Sequence, residues 1–353
     1  MADVYLTVDL GGTRIRAARC CAAGRIEART ERLTKATTGS DAVIARIEQA
    51  LRKVWPEAPA DTVKAISVVA PGPIDPWTGV VLTAPNLPGF INLPLRDKLA
   101  DLFHVPVFIG NDANLAGLAE WRFGAARGHS HVIYLTISTG IGGGVIIDGR
   151  LLLGSRGLAA ELGHITIDRH SAACKCGNIG CIEWLSSGTA IVRQAVERIR
   201  AGQPSSIGTR VNNELDQVNV EVIEQAALDG DELALTVLDE AFRALGLSIV
   251  SLLHIFNPSI VVLGGGVMEA CGDFLMPRIR SVLDADHMRV AKDPDEVCLS
   301  QLGDYAVIVG GIALAARLCG ANPLKRYPDA ELRVLKSSSQ KEENGETEES
   351  RVS

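Results

Sequence analysis

Sulfur and nitrogen donors are concentrated in one short segment near the middle of the chain. Four of them lie between positions 164 and 181: His164, Cys174, Cys176 and Cys181. Three thiolates and one imidazole are the donor set of a tetrahedral zinc site, and closed four-ligand sites of this kind are usually structural. Two acids, Glu161 and Glu183, flank these donors. The pattern predicts a structural Zn²⁺ that holds carboxylates at the edge of a polar pocket.

A disulfide or three buried thiols would be the simpler interpretation of the same cysteines. Cys174 and Cys176 are separated by one residue, and Cys-x-Cys pairs rarely satisfy disulfide geometry. The composition is also typical of a reducing compartment, where disulfides are rare. The chain has 8 cysteines, and those outside this segment stand in apolar surroundings, as small buried hydrophobic residues do.

A glycine turn follows the first predicted strand and has the residue types of a phosphate-binding loop. Gly11 and Gly12 can take positive φ and bring backbone N–H groups close to an anion. Thr13 adds a hydroxyl group and Arg14 adds a cation. Asp9, at the end of the strand, is placed to hold a hydrated Mg²⁺ against the same phosphates.

Two further glycine segments occupy comparable places later in the chain. Thr139 and Gly140 stand between two predicted strands, and residues 264–266, which include Gly265 and Gly266, end another strand. Each segment alone is weak, because most Gly-Gly pairs are ordinary turns. Three of them in a duplicated pattern predict a nucleotide site. Neither a Walker A sequence nor a Rossmann fingerprint is present in the sequence.

Asp112 is the candidate catalytic acid-base group. It stands where a predicted strand ends and a helix begins, so it points from the carboxyl end of a sheet, where α/β proteins bind ligands. An N-cap is the alternative role, since Asp is a favoured capping residue. Phosphoryl transfer needs one carboxylate to accept the proton of the substrate hydroxyl, and the phosphate loops favour that role for Asp112.

These residues need a scaffold, and hydrophobic periodicity predicts one of α/β type. Strands are predicted at residues 4–10, 14–21, 63–70, 105–111, 131–138, 142–147, 259–263 and 297–302. Helices are predicted at residues 41–54, 95–103, 113–122, 189–200, 220–228, 232–256, 274–283 and 306–318. The Pro- and Gly-rich segments 71–76 and 84–89 are predicted loops.

A strand, a glycine turn and a second strand, followed by alternating helices and strands, occur twice. This duplication predicts two lobes with a cleft between them. The first lobe is expected to span residues 1–115 and to be completed by the helix at 306–320. The second lobe is expected to span residues 116–305 with the zinc-binding loop. Residues 336–353 contain little to bury and are predicted to be disordered.

Length and charge exclude several classes of protein. The chain has 353 residues, enough for two domains of about 150 residues each. Its formal net charge of −7 argues against a nucleic-acid partner. No apolar run long enough to span a membrane and no signal peptide is evident. We therefore expect a cytoplasmic protein that has no membrane contact.

The motifs together resemble the ROK family of repressors, open reading frames and kinases, over almost all of residues 4–318. The resemblance rests on the Asp9–Thr13 loop, on Asn111-Asp112, on the segment from Leu135 to Gly157 and on the cysteine motif. It implies the two-domain actin-like (ribonuclease H-like) ATPase fold with an interdomain cleft. It also implies that Asp112 is the catalytic base.

The same resemblance assigns the remaining site residues. Sugar hydroxyls would be bound by Gly72, Asn86, Asn111, Asp112, Glu161, His164 and Glu183. The phosphates of ATP would lie against Gly11, Gly12, Thr13, Thr139 and Gly140, with adenosine near Gly265 and Gly266. His164 would bind zinc through one ring nitrogen, together with Cys174, Cys176 and Cys181, and the sugar through the other.

The loops around Gly72 and Asn86 are most similar to those of bacterial glucokinases of the family. N-acetylmannosamine kinases share the other sugar ligands, but Pro73 and Asn86 leave less room for an acetamide at the sugar C2. Fructokinases and allose kinases remain alternatives, as does polyphosphate instead of ATP. The resemblance also implies a homodimer or homotetramer.

A repressor of the same family is the alternative from another class. Repressor members carry an added DNA-binding segment before the first strand, and the predicted first strand here starts at residue 4 of an acidic chain. We therefore expect a kinase. A sugar-binding module without catalysis is disfavoured because Asp112 and both phosphate loops are present.

Overall fold

The computed structural model describes residues 3–57, 62–288 and 296–319. Within these residues, no helix has both the length and the apolar character required to cross a bilayer. The predicted tail at 336–353 and Gly320, the last residue of the predicted closing helix, lie outside the described residues.

The first lobe contains two sheets and three of the helices. Its strands are β1 (Asp3–Leu10), β2 (Arg14–Cys21), β3 (Ile26–Leu33), β4 (Thr62–Ala70), β5 (Ile74–Asp75), β6 (Val80–Thr83), β7 (Ile91–Leu93) and β8 (Val107–Asn111). Its helices are α1 (Ser40–Val54), α2 (Leu95–Phe103) and α3 (Asp112–Phe123). The larger sheet has the order β3-β2-β1-β4-β8, and β5, β6 and β7 form the smaller one.

The larger sheet brings the ends of three parallel strands to one edge. β4 and β8 run parallel to β1, with Asp9 paired to Val69 and Ala70 paired to Asn111. The residues that follow β1, β4 and β8 therefore meet at the same edge. α1 packs below this sheet because its apolar residues repeat at helical spacing and are buried.

The second lobe repeats this architecture. Its strands are β9 (Val132–Ile137), β10 (Ile141–Ile147), β11 (Arg150–Leu151), β12 (Ile260–Gly264) and β13 (Val297–Leu299), in the order β11-β10-β9-β12-β13. Its helices are α4 (Ile182–Ser186), α5 (Gly188–Arg200), α6 (Ile207–Arg210), α7 (Val220–Leu228), α8 (Glu232–Phe256) and α9 (Gly266–Asp284). As in the first lobe, a hairpin (β9 and β10) is extended by parallel strands.

Two helices join the lobes. α3 packs on β9 and β10 of the second sheet, and α10 (Ala306–Leu318) packs on α3 and on β1 and β4 of the first sheet. The side chains of Ile308 and Ile312 are buried against Tyr5 and Ala18 of the first sheet. The last helix thus returns to the sheet in which the chain begins.

The structure contains elements that the sequence did not predict, among them the short strands β6, β7 and β11 and the short helix α6. β3 was not predicted, because its residues alternate between half-buried and exposed and several are charged. The segment 71–76 contains β5, whose two residues pair with β6. α4 was not predicted because it has only five residues. α9 begins at Gly266, two turns before the predicted start at 274.

Candidate active site

Asp112 is the first residue of α3, directly after β8. Its Oδ1 accepts a hydrogen bond of 2.8 Å from the backbone N–H of Ala113. Desolvation raises the pKa of Asp112, and the nearby carboxylates of Asp9 and Glu161 raise it further, against the opposing effect of the Ala113 N–H. The residue is nevertheless accessible to solvent. The carboxyl group is thus surrounded by protein and still reached by water, as expected for a group in the predicted cleft between the lobes.

Asn111, rather than Asp112, caps helix α3. Its Oδ1 accepts hydrogen bonds from the backbone N–H groups of Ala113 at 3.0 Å and Asn114 at 3.2 Å. The N-cap position, which was the alternative interpretation of Asp112, is thus occupied by Asn111, and Asp112 shares only the Ala113 N–H with it. The amide nitrogen of Asn111 lies beside Gly72, since a Cβ on Gly72 would be 3.2 Å from it. Gly72 and Asn111 therefore share one wall of the cleft.

The first glycine loop is fixed by its own backbone. The N–H of Gly11 donates to the carbonyl of Arg14 at 2.9 Å, and the hydroxyl of Thr34 donates to the carbonyl of Gly11 at 2.6 Å. Neither Gly11 nor Gly12 has a positive φ. Glycine is required here for close approach instead, because a Cβ on Gly12 would lie 3.0 Å from Cβ of Asn86. The loop and the Asn86 segment are in direct contact.

The charged residues around this loop are paired. Arg16 donates from Nε to Oδ2 of Asp9 at 2.9 Å, and its Nη2 lies 2.8 Å from the same oxygen. Desolvation nevertheless raises the pKa of Asp9, and Asp304 raises it further, although Arg16 lowers it. Arg14 forms an ion pair with Glu31 of β3. Sequence reasoning missed Arg16 and Asp304, because only strand pairing and the return of the chain before α10 bring them to Asp9.

The second glycine loop, residues 138–140, lies against the amino ends of two helices. The carbonyl of Ser138 accepts from the N–H of Gly188, the first residue of α5, at 2.8 Å. A Cβ on Gly265 would lie 2.5 Å from the carbonyl oxygen of Ile137, so the start of α9 lies against the same segment. The amino ends of helices carry partial positive charge and attract anions. Thr139 and Gly140 thus occupy an electropositive position.

Glu183 connects this loop to the cysteine segment. It lies in the first turn of α4, two residues after Cys181. Its Oε2 accepts a hydrogen bond of 2.9 Å from the N–H of Ile141, and a Cβ on Gly140 would lie 2.5 Å from the same oxygen. The absence of a side chain at Gly140 therefore makes room for the carboxylate of Glu183.

The glycines of β10 position both sides of the cleft. A Cβ on Gly142 would lie 2.8 Å from Cβ of Ala113, and one on Gly144 would lie 3.0 Å from the carbonyl oxygen of Ala113. A Cβ on Gly143 would instead lie 2.6 Å from the side chain of Leu162. Because side chains alternate along a strand, one face of β10 packs under the start of α3. The other face packs under the turn that leads to His164.

The four predicted metal ligands converge in space. The donor atoms of His164, Cys174, Cys176 and Cys181 all lie within 4.8 Å of one another. Sγ of Cys176 is 3.6 Å from Sγ of Cys181, and Nδ1 of His164 is 3.9 Å from Sγ of Cys174. In a tetrahedron with bonds near 2.3 Å, the ligand atoms are about 3.8 Å apart. The donor set and its spacing fit one Zn²⁺.

The loop that carries these ligands is also held by its backbone. The amide of Asn178 donates to the carbonyl of His164 at 3.1 Å, and Thr166 bridges to Cys181 as an isolated antiparallel pair. Burial raises the pKa of the Cys181 thiol to about 12, whereas the backbone N–H of Asn178 lowers the pKa of Cys176. Bound metal favours thiolates, so metal binding here would release protons.

His164 faces the cysteines with Nδ1, which directs Nε2 away from them. The 3₁₀ turn Leu162–His164 begins directly after Glu161, which is exposed and close enough to raise the pKa of Asp112. The geometry therefore places Glu161 on the Asp112 side of the cysteine loop.

Comparison with known proteins identifies the family. The sequence profile of the ROK family matches residues 5–318. A glucokinase from Thermotoga maritima is 35% identical over 314 residues, which cover 89% of this chain and 94% of that protein. The crystal structure of a ROK family glucokinase from Streptomyces griseus, in complex with glucose and AMPPNP, is similar at 33% identity and a TM-score of 0.75. That similarity covers 89% of this chain and 99% of the other.

Regulators are also among the relatives. A xylose repressor from Caldicellulosiruptor bescii is 33% identical over 268 residues, which cover 76% of this chain and 66% of the repressor. The match to kinases thus spans nearly the whole length of both proteins, whereas the match to this repressor leaves a third of it uncovered. The two-sheet α/β architecture is that of ROK sugar kinases with the actin-like ATPase fold, and the chain belongs to the ROK family.

Proposed function

We propose that this protein is an ATP-dependent glucokinase, which transfers the γ-phosphate of ATP to the 6-hydroxyl of glucose. The observation that carries the proposal is the carboxyl group of Asp112, which has a raised pKa and stands at the start of α3 where β8 ends. Phosphoryl transfer requires one such carboxylate to accept the hydroxyl proton. Glucokinases that are 35% and 33% identical to this chain support glucose as the sugar.

In the proposed reaction, Asp112 accepts the proton of the 6-hydroxyl as the oxygen attacks the γ-phosphorus. The bond between that phosphorus and the β,γ-bridging oxygen breaks, and ADP leaves. A raised pKa makes a carboxylate a stronger base, provided that the pH keeps it ionised. The carboxylates of Asp9 and Glu161 act on Asp112 in this direction, because each disfavours a further negative charge nearby.

The sugar would lie beside Asp112, between a wall from each lobe. Gly72, Asn86 and Asn111 belong to the first-lobe wall. Glu161, His164 and Glu183 belong to the second-lobe wall, and Nε2 of His164 is directed away from the cysteines. Glu183 keeps Oε1 for the sugar, since Oε2 accepts from Ile141.

The triphosphate would lie between the two glycine loops, against Gly11, Gly12 and Thr13 on one side and Thr139 and Gly140 on the other. Adenosine would lie near Gly265 and Gly266, at the start of α9. Mg²⁺ would neutralise phosphate charge. Asp9 fits this ion through water, because Arg16 engages only Oδ2 of its carboxylate. A phosphate contact by Arg14 would replace an exposed ion pair, which costs about 1 kcal/mol or less.

Zn²⁺ would be held by His164, Cys174, Cys176 and Cys181, and these four ligands complete its coordination. Its chemistry is then structural. The cysteine loop fixes the orientation of His164 and, through the start of α4, that of Glu183.

The organisation of the whole chain is part of the same proposal. Residues 1–115 with the helix at 306–320 form one domain, and residues 116–305 form the other. ATP and glucose as substrates are consistent with a cytoplasmic enzyme that has no nucleic-acid partner. We further propose a homodimer or homotetramer, which light scattering would distinguish from a monomer of 37.5 kDa.

A coupled assay of ADP release tests the reaction across glucose, N-acetylmannosamine, mannose, fructose and allose. We expect the highest kcat/KM with glucose and ATP. A higher kcat/KM with N-acetylmannosamine would overturn the choice of sugar. The absence of turnover with every sugar would favour a sugar-responsive regulator, and polyphosphate in place of ATP tests the donor.

Asp112→Asn is the matched variant for this assay, because it keeps the size of the side chain and removes its charge. General-base catalysis contributes ~10²–10⁴-fold, so kcat should fall by that factor while glucose binding measured by calorimetry persists. A kcat close to that of the unmodified protein would show that Asp112 is not the general base and has a structural role instead.

A further inference from the structure

The lobes touch at a second place, away from α3 and α10. The turn between β5 and β6, residues 76–79, belongs to the first lobe, and the loop at residues 154–157 belongs to the second. Gly157 has a φ of 74°. A Cβ at Gly157 would lie 2.2 Å from Cδ of Pro76 and 3.1 Å from Cζ3 of Trp77. The backbone of Gly157 therefore lies directly against the two rings of the opposite lobe.

The turn that carries these rings is rigid although it is exposed. Oδ1 of Asp75 accepts from the N–H of Trp77 at 2.9 Å and from that of Thr78 at 3.1 Å. The side chain of Thr78, and then these N–H groups, lower the pKa of Asp75. Nη1 of Arg96 donates to the carbonyl of Trp77 at 2.7 Å. Trp77 nevertheless remains 52% exposed. A large apolar side chain held at the surface in this way is available for contact with the other lobe.

The contact joins the two chain segments that lead to the walls of the proposed sugar site. Gly72, beside the amide of Asn111, is four residues before Pro76 in the first lobe. Glu161 is four residues after Gly157 in the second lobe. A contact that joins these two loops also fixes the distance between the walls that they lead to.

We propose that Pro76, Trp77 and Gly157 form a clasp that closes the cleft on the sugar, and that they are positioning residues for phosphoryl transfer. The proposal rests on the proposed function. In this proposal, the crossing of α3 and α10 is the hinge between the lobes, and the clasp is a second attachment that limits rotation about it. The nucleotide loops, at the ends of β1 and β9, lie outside the two segments that the clasp joins, so loss of the clasp should weaken glucose binding more than ATP binding.

Gly157→Ala tests the clasp, because its methyl group would occupy the position of the Pro76 ring. Gly128→Ala is the matched control, since Gly128 has a φ of 88° and nothing within 4 Å of a Cβ. Both variants carry the same kind of backbone strain, but only the first obstructs the other lobe. A misplacement of about 1 Å can cost ~10²-fold in rate. We expect Gly157→Ala to raise the KM for glucose by at least ~10-fold on this basis, with a smaller change in the KM for ATP.

Two further variants separate the clasp from general damage. Pro76→Ala combined with Gly157→Ala removes the obstructing Cδ and should restore most of the glucose affinity. Trp77→Ala introduces no backbone strain and removes an exposed side chain, so the melting temperature should not change. Because it removes one ring of the clasp, it should raise the KM for glucose. It therefore tests the clasp even where Gly157→Ala fails to fold.

Calorimetric titration measures the affinity for glucose, and therefore the effect of the clasp, independently of turnover. The clasp is overturned if Gly157→Ala binds glucose as Gly128→Ala does, if both variants weaken binding equally, or if Trp77→Ala leaves glucose affinity unchanged. The proposed function fails separately, if the unmodified protein phosphorylates no sugar. Loss of ATP affinity in Trp77→Ala to the same degree as glucose affinity would also contradict the clasp.

Discussion

Asp112 is surrounded by negative charge, and this determines how its activity should depend on pH. A general base acts in its ionised form, so kcat should fall as the pH falls through the pKa of Asp112. Desolvation and the carboxylates of Asp9 and Glu161 raise that pKa above the ordinary value of 3.8. The acidic limb of the profile is therefore expected at a higher pH than that of an ordinary aspartate.

Glu161→Gln tests this origin of the pKa shift. Removal of one negative neighbour favours the ionised form of Asp112, so the acidic limb of kcat should move to lower pH. The measurement is kcat at saturating glucose and ATP, because Glu161 is also a proposed sugar ligand. Glu240→Gln, a change at an exposed ion pair with Arg198, is the control. A limb that moves to higher pH would contradict the role of Glu161.

The convergence of His164, Cys174, Cys176 and Cys181 and the position of Asp112 were predictable, because local sequence indicates both. Donor type and spacing identified the cysteine cluster, and a strand end followed by a helix start identified Asp112. The partners of Arg14 and Arg16 were not predictable. Pairing between β1 and β2 places Arg16 opposite Asp9, while Arg14 pairs with Glu31 on an unpredicted strand. Such contacts depend on the pairing register of the strands, which cannot be read from a short sequence motif.

At the scale of elements, the cysteine loop should affect the sugar and not the nucleotide. Cys176→Ala removes one of four ligands and should abolish zinc binding. His164 and Glu183 would then lose their fixed orientation, and displacement by about 1 Å can lower the rate ~10²-fold. We expect a higher KM for glucose or loss of activity, with ATP binding retained.

Metal analysis of Cys176→Ala, with parallel glucose and ATP titrations, measures each part. Cys319→Ala is the control, because Cys319 is far from the metal ligands in sequence and is exposed. Full efficiency with glucose in the zinc-free variant would show that the loop does not organise the sugar site. Equal loss of ATP and glucose binding would show that the metal supports the whole fold.

Helix α3 is anchored at its far end by a buried carboxylate that sequence reasoning did not identify. Glu120 has no exposed surface and accepts from the backbone N–H groups of Ala125, Gln301 and Leu302 and from the hydroxyl of Ser300. These bonds connect α3 to the segment that leads into α10. Glu120 thus holds the helix that presents Asp112.

Glu120→Ala should therefore destabilise the protein. It leaves donors unsatisfied, of which the N–H of Leu302 is buried, and each such group costs about 1–3 kcal/mol. We expect the free energy of unfolding to fall by about 2–4 kcal/mol in denaturant titrations. Glu240→Ala, which removes an exposed ion pair, should cost about 1 kcal/mol or less. Similar losses in the two variants would exclude a special role for Glu120.

Long periodic elements were predicted closely, and short or polar ones were not. α8 spans Glu232–Phe256 as predicted, because its buried residues repeat at helical spacing over 25 residues. β5, β7 and α4 have two, three and five residues, and segments this short carry too few positions for a period. The start of α9 at Gly266 was not predicted, because glycine is a poor helix former and residues 264–266 are all glycine.

At the scale of the whole molecule, the duplicated lobes depend on the crossing of α3 and α10. α3 begins with Asp112 and packs on the second sheet, while α10 packs on the first sheet. A Cβ on Gly311 would lie 2.2 Å from Oγ1 of Thr7 in β1. The position of one sheet relative to the other is therefore determined by the close packing of these two helices.

Gly310→Ala tests this crossing, because the backbone of Gly310 lies directly against α3. A Cβ there would lie 1.9 Å from the carbonyl oxygen of Leu115 in α3. A backbone carbonyl cannot rotate away, so the helices must separate, and overpacking of this kind costs about 1–3 kcal/mol or more. Because α3 carries Asp112 and α10 packs on β1, which carries Asp9, separation should weaken glucose and ATP binding together. This differs from Cys176→Ala, which should weaken glucose binding alone.

Gly272→Ala in α9 is the matched control for this variant. A Cβ on Gly272 would lie 2.9 Å from Cδ1 of Leu299, a side-chain end that can rotate. Alanine is favoured over glycine inside a helix by about 1 kcal/mol, so this control should be neutral or slightly stabilising. Denaturant unfolding of both variants, with glucose and ATP titrations, gives the comparison. Two results would contradict this prediction: Gly310→Ala unfolds at the same denaturant concentration as Gly272→Ala, or it loses affinity for only one of the two ligands. Either would show that the packing of α10 on α3 does not determine the binding of both glucose and ATP.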